Sequence, residues 1–300
     1  MNAVTGAFGF TGRSIAHRLL ARGEPVRTLT GHPDRPDPFG GRVEVWPLAF
    51  DRPATLVQSL EGIRTLYNTY WIRFERGPAT FEQAVRNSLA LFSAAEQAGV
   101  QRVVHLSITG ADPGSPLPYF RGKGRVEAAL RSSRLSHAIV RPTVIFGPGD
   151  VLINNIAWLL RRFPVFAVPG DGRYPVQPVH VDDVAALAVE AGHRPEDVVL
   201  DAAGPETYAY EDLVRLLAGA LGRRRPIVHL PAPVVRLVAA GLGLLVGDVV
   251  LTGQEIAGLM AGLLVSPGPP TGTTRLSRWL AEHAGTLGVH WASELARHYR

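Results

Sequence analysis

Tyr119 and Lys123 stand four residues apart in the segment PYFRGKGRVEAAL (118–130), and Lys123 is the one lysine among 31 Lys plus Arg residues. On a helix, residues at i and i+4 share a face. That pairing suits proton transfer. A tyrosine with an ordinary pKa near 10 needs a nearby cation to favour its phenolate around neutral pH. An ammonium is a compact point charge that also donates hydrogen bonds to a ribose, and arginine's planar fork is no substitute for it. Upstream, HLSITGA (105–111) sets Ser107 at the end of an expected strand. Its hydroxyl can polarise a carbonyl or alkoxide oxygen beside the tyrosine.

A second constellation opens the chain. TGAFGFTGRS (5–14) spaces Gly6, Gly9 and Gly12 as GxxGxxG between a strand-like and a helix-like segment. Glycines there permit a tight turn and close backbone approach to a pyrophosphate seated on the helix N-terminus. Phe8, Phe10 and Thr11 complete that loop. Near the end of the second strand the dinucleotide fingerprint carries an acid for the adenosine ribose, whereas here the chain reads Leu29-Thr30-Gly31-His32. Losing the acid removes the barrier to a 2′-phosphate, and Arg27, His32 or Arg35 can add positive charge beside Thr30, against Asp34 and Asp37. The expectation leans to NADP over NAD.

These residues need a frame to hold them. Strands are expected at 2–5, 25–30, 42–48, 63–68, 102–108 and 137–146. Helices are expected at 13–22 and 80–99 and around Lys123. Alternation of this kind implies βαβ units, hence an α/β fold with a doubly wound parallel sheet of the Rossmann type. VHVDDVAALAVEAG (179–192) reads as a strand end and a helix capped by Asp182 or Asp183. The expected organisation is a dinucleotide-binding core over 1–150, a mixed segment over 151–203, and a smaller, mainly helical C-terminal lobe over 204–300.

The quoted motifs resemble those of the short-chain dehydrogenase/reductase superfamily. The similarity is to its extended and atypical branch of NAD(P)-dependent epimerases and dehydratases, including the NADH-binding accessory subunit group of respiratory complex I. GAFGFTG, NSLALFSAAEQAGVQRVVHLS, YFRGK, RPTVIFGPGD and VHVDDVA occur in the family's order. The resemblance implies a general acid/base role for Tyr119, a ribose and pKa role for Lys123, and an oxygen-polarising role for Ser107. It makes Asn87 the helix asparagine that supports the lysine, and runs Pro142, Thr143 and Val144 beside the nicotinamide ring. Asn68 and Thr69 join the expected cofactor contacts. Asp51 does not register with the family's adenine-binding acid and is not assigned. Gly122 and Gly124, flanking the lysine, suit either close cofactor approach or mobility before binding.

YNTYWIRFERG (67–77) follows the fourth strand, and its Tyr70 and Trp71 can wall a substrate pocket, as can Asn154, Asn155 and Trp158. The leading expectation is an oxidoreductase acting on a small-molecule carbonyl or alcohol. The alternatives are an epimerase or dehydratase with retained cofactor, or a dinucleotide-binding sensor or scaffold without turnover. No cysteine is present, which excludes thiolate chemistry and disulfides. No metal site is expected, because the histidines show no ligand spacing, and the absence of GxSxG argues against an α/β-hydrolase. A net charge of +5 is spread over scattered arginines, so no nucleic-acid partner is expected. The N-terminus lacks the marks of an export signal, and a cytoplasmic location is expected. VVRLVAAGLGLLVGDVVL (234–251) has a longest uncharged run of 11 residues, Leu237 to Gly247. A spanning helix needs about 20, so a buried helix is expected and membrane contact is not. Nothing in the sequence fixes the oligomeric state.

Overall fold

Short apolar runs bounded by Gly, Pro and charged residues become the strands of one parallel sheet. The computed structural model describes residues 1–298, and the chain divides into two units, 1–142 with 181–202 and 143–180 with 203 onwards. The first unit runs β1 (Asn2–Thr5), α1 (Phe10–Ala21), β2 (Val26–Thr30), β3 (Val43–Pro47), α2 (Pro53–Leu60), β4 (Thr65–Asn68), α3 (Phe81–Gln97), β5 (Arg102–Leu106), α4 (Pro118–Arg131) and β6 (Ser136–Pro142). The chain then passes through the second unit's β7 (Val144–Phe146), α5 (Leu152–Arg162), β8 (Phe166–Pro169), β9 (Pro175–Val176) and β10 (Pro178–His180). It returns for α6 (Val181–His193) and β11 (Val198–Ala202). The second unit ends with β12 (Tyr208–Ala209), α7 (Tyr210–Ala220), β13 (Ile227–Leu230), α8 (Ala232–Val246), α9 (Gly253–Met260), α10 (Leu276–His283) and α11 (Glu294–His298).

The seven-stranded sheet has the order β11-β6-β5-β4-β1-β2-β3, with every neighbouring pair parallel. After β3 the chain crosses to the far side of β1, which makes the gap between β1 and β4 the switch point where such sheets bind ligands. β1, β4 and β5 are buried at every position, including polar Thr5, Asn68 and His105, as central strands of a sheet covered on both faces are. Leu56, Leu60, Leu91, Phe92 and Leu130 cover the face that carries Leu66, Val103 and Ile139.

Local rules account for where several elements stop. Thr80 caps α3, its hydroxyl accepting from the Gln83 N–H at 3.1 Å. The expected strand over 137–146 is two strands, because β6 ends at Pro142 and β7 pairs with β10 instead. Asp182 and Asp183 lie in the first turn of α6, which starts at Val181. There they complement the helix dipole in place of the expected cap.

The second unit has its own core, built on Phe146, Tyr174, Leu213 and Trp279, with two-stranded sheets β7–β10, β8–β13 and β9–β12. One expectation fails here. The apolar α8 is not a buried helix, since only Val235 and Ala239 of its 15 residues are buried. Val234, Leu237, Val238, Leu244 and Leu245 are exposed.

Candidate functional site

The glycine loop is built for close backbone packing. Gly6 has φ of +65°, which favours glycine, and the Gly9 N–H donates to its carbonyl at 2.8 Å. A Cβ on Gly12 would lie 2.3 Å from that same Gly6 oxygen, so no side chain fits there without backbone movement. The loop is held from beneath by Gly6 N–H to Leu29 O and Ala7 N–H to Thr28 Oγ1. Helix α1 begins at Phe10 with no side-chain cap and no acid in its first turn. The N–H groups of Phe10, Thr11 and Gly12 therefore lack intrahelical partners, an arrangement that accepts a pyrophosphate. Phe8 packs toward Phe39, with ring centroids 6.2 Å apart.

Thr5, not singled out in the sequence, ties the loop to the switch point. Its hydroxyl accepts from the Thr69 N–H at 2.7 Å and donates to Asn68 Oδ1 at 3.2 Å, while Thr69 Oγ1 donates to Thr5 O at 2.6 Å. Thr69 thus stands beside Gly6. Asn68 does not face a ligand: it is fully buried, with Oδ1 also accepting from the Tyr70 N–H and Nδ2 lying 3.1 Å from His105 Nδ1. Because Asn68 Oδ1 is already an acceptor twice over, its amide donates and His105 Nδ1 accepts, which assigns the neutral Nε2–H tautomer. Burial pushes the His105 pKa well below the ordinary value, and the Lys123 charge adds to this.

At the end of β2, Thr30 Oγ1 accepts from the His32 N–H at 2.9 Å. Burial, then the Arg35 charge, lowers the His32 pKa. Two expectations change. Asp37 is spent on its own turn, accepting from the Phe39 and Gly41 N–H groups. Arg27 is held by Glu44 and by the Ser59 and Glu61 carbonyls, with Trp46 stacked 4.4 Å away.

Pro118 at the first position of α4 starts the helix that carries Tyr119 and Lys123. The half-buried Tyr119 ring meets Trp71, Phe81 and Phe120 edge-on at 6.1, 5.6 and 5.5 Å. Lys123 is 3% exposed. Its Nζ donates to Leu106 O at 2.7 Å and lies 4.6 Å from the Trp71 ring centroid. Burial pushes the Lys123 pKa down to about 7, with Glu127 one turn along pulling it up. Glu127 is itself held by two-pronged contact with Arg141, the shorter at 2.5 Å.

The flanking glycines are packing devices. A Cβ on Gly122 would sit 3.1 Å from the Trp71 ring, and one on Gly124 would sit 2.3 Å from the backbone of Asp112 and Pro113. They admit Trp71 and the 112–113 turn, rather than a cofactor or mobility. The Asn87 side chain turns to its neighbours: it donates to Tyr70 Oη at 2.7 Å and accepts from Gln83. The Leu106 carbonyl is the acceptor that receives the ammonium directly. Ser107, just past β5, is anchored by its N–H to Val140 O, and its buried Oγ has no hydrogen-bond partner. A buried hydroxyl left so costs about 1–3 kcal/mol unless something engages it.

Pro142 closes β6, while Thr143 and Val144 belong to the second unit. Asn154, Asn155 and Trp158 do not form a substrate wall there. Asn154 Nδ2 donates to His290 O, and Asn155 exchanges hydrogen bonds with both backbone groups of Ala292. Trp158 packs edge-on against Trp291 at 5.2 Å. All three fasten the 288–292 segment to α5.

The chain is similar to known proteins. A family model described as NAD(P)H-binding matches residues 6–155. The chain is 26% identical over 258 residues to the mitochondrial NADH dehydrogenase [ubiquinone] 1 alpha subcomplex subunit 9 of Arabidopsis thaliana, covering 82% of this chain. It spans only 64% of that relative's length. It is 29% identical over 236 residues to the ceramide reductase of Caulobacter vibrioides, covering 77% of this chain and 74% of that one. In fold it is similar to the NADPH-dependent quinone oxidoreductase of Escherichia coli solved with NADPH, with a TM-score of 0.78 at 20% identity, covering 96% and 99% of the two chains.

Proposed function

This chain belongs to the NAD(P)H-binding family, of the extended short-chain dehydrogenase/reductase type, and on that premise we propose that it is an NAD(P)H-dependent oxidoreductase acting on a carbonyl or alcohol carbon. The observation that carries the reading is one turn of α4. Tyr119 and Lys123 share its face, in the same unit as a glycine loop that only glycine at position 12 can form. The loop fits a dinucleotide: its first helical turn offers unpaired N–H groups and no acid.

The residues divide the work. Main-chain N–H groups at 10–12 hold the pyrophosphate, and Lys123 holds the nicotinamide ribose. The bound dinucleotide supplies or accepts the hydride. Tyr119 delivers or removes the proton at the substrate oxygen, and the orphaned Ser107 hydroxyl donates to that oxygen. Arg35, with His32 lowered toward the neutral form and Asp37 occupied, favours NADP over NAD.

The test is NADPH oxidation with a panel of carbonyl and quinone acceptors. Turnover that Tyr119→Phe abolishes, while NADPH binding is retained, supports the reading. Undiminished turnover in that variant overturns it. A second reading, dinucleotide binding without turnover, is favoured by the Trp71 cover over Lys123, and absence of turnover across the panel with intact binding selects it.

A further inference from the structure

Helix α8 carries the most exposed apolar surface among the described residues. Leu244 is 88% exposed, Leu237 74% and Leu245 70%, with Val234 and Val238 also exposed. Positions 234, 237, 238, 241, 244 and 245 follow helical spacing, so these side chains form one stripe. A Cβ on Gly241, in the middle of that stripe, would meet nothing within 4 Å. On the opposite side Val235 and Ala239 are buried, and α8 packs on α9 and β8. At 1.5 Å per residue the stripe runs about 17 Å. Val228 of β13 and Val165 beside β8, on which α8 packs, add further exposed apolar groups. Patches of this size mark a docking surface.

The charges identify the partner. From residue 213 to 247 the chain contains Arg215, Arg223, Arg224, Arg225 and Arg236 and no Asp or Glu. Arg223, Arg224 and Arg236 are exposed. The acid that follows the helix, Asp248, is turned inward, accepting from Trp291 Nε1 and from the Glu294 and Leu295 N–H groups. Glu211, near β13, is matched by Arg215 and His229. An exposed apolar stripe in a stretch whose exposed arginines, Arg223, Arg224 and Arg236, have no acid among residues 213–247 is complementary to a bilayer whose headgroups are anionic. A second copy of this chain is a poorer occupant, because a two-fold contact through α8 brings Arg236 and its neighbours against their own equivalents.

We propose that α8 is a peripheral membrane-docking face, which inserts its Val234–Leu245 stripe among the acyl chains of an anionic bilayer while the arginines contact the headgroups. No helix among the described residues is long and apolar enough to cross a membrane, so the attachment lies in the plane of the surface.

Flotation of the full chain with vesicles tests this. Phosphatidylcholine vesicles containing phosphatidylglycerol should capture the chain, and phosphatidylcholine alone should capture it much less. Leu237→Ser/Leu244→Ser/Leu245→Ser should lower the bound fraction on anionic vesicles about tenfold or more. Unchanged NADPH binding by the triple variant confirms that it is folded. Failure of the wild type to float with anionic vesicles, or equal flotation of the triple variant, overturns the proposal. So does a wild-type dimer in sedimentation velocity that the triple variant converts to a monomer, since a second copy would then cover the stripe.

Discussion

The Trp71 indole lies 4.6 Å over the Lys123 ammonium, roofing a cation whose hydrogen bond goes down to the Leu106 carbonyl. The roof fits because Gly122 has no side chain to displace it. A lysine covered in this way reacts slowly with amine reagents. A cation–π contact of ~1–2 kcal/mol corresponds to roughly tenfold in accessibility, so Trp71→Ala should accelerate labelling of Lys123 by about that factor. Peptide mass mapping reads this cleanly, since Lys123 and the chain's N-terminus are the only amines. Equal rates in the two proteins would remove Trp71 as the cover.

The buried amine also makes stability depend on pH. Burial lowers the Lys123 pKa from 10.5 to about 7. Between those values the unfolded chain holds a proton that the folded chain has released, so this group's contribution to stability rises with pH across the window. Below pH 7 both states are charged and the full cost is present. Lys123→Met removes the cost. Its gain in unfolding free energy over wild type should be largest at pH 7 and shrink toward pH 10. A gain independent of pH in urea titrations would contradict the buried-cation description.

Gly12→Ala tests the loop. Its Cβ would lie 2.3 Å from Gly6 O and 2.8 Å from Gly6 C, both backbone atoms, and such overpacking costs about 1–3 kcal/mol. Thermal unfolding should show that loss, and NADPH binding should weaken with it. Gly23→Ala makes the comparison, since Gly23 has nothing within 4 Å and strains only through its φ of +74°. That variant should lose stability and keep its NADPH affinity.

Arg35 is expected to set cofactor preference. A charged hydrogen bond to a 2′-phosphate is worth about 1.5–3 kcal/mol, so Arg35→Ala should weaken NADPH by tenfold or more and leave NADH nearly unchanged. Calorimetric titration of both cofactors into both proteins gives the answer. Tighter binding of NADH than NADPH by the wild type would reverse the assignment.

The parallel sheet and the glycine loop were legible because they are local. Strand–helix alternation and three glycines at fixed spacing dictate their own backbone geometry. The neighbours of Lys123 were not, because they come from other elements. Nothing in YFRGK announces that Leu106 O receives the ammonium, or that Trp71 covers it. His105 gave a faint signal, as an ionisable residue inside the fully buried strand RVVHL. Asn87 and Asn154 misled for the same reason: a carboxamide's partner, Tyr70 in one case and the 288–290 backbone in the other, depends on tertiary packing. Helix α8 reads as core from composition alone, and only the packing around it reveals which side has no cover.

The most direct measurement is an NADPH titration followed by nicotinamide fluorescence, on wild type, Lys123→Met and Tyr119→Phe. The expected result is saturable binding by the wild type, about tenfold or weaker binding by Lys123→Met from loss of a charged ribose contact, and wild-type affinity in Tyr119→Phe. Equal affinity in wild type and Lys123→Met, or no binding by the wild type, would contradict the assignment of the nicotinamide end to α4.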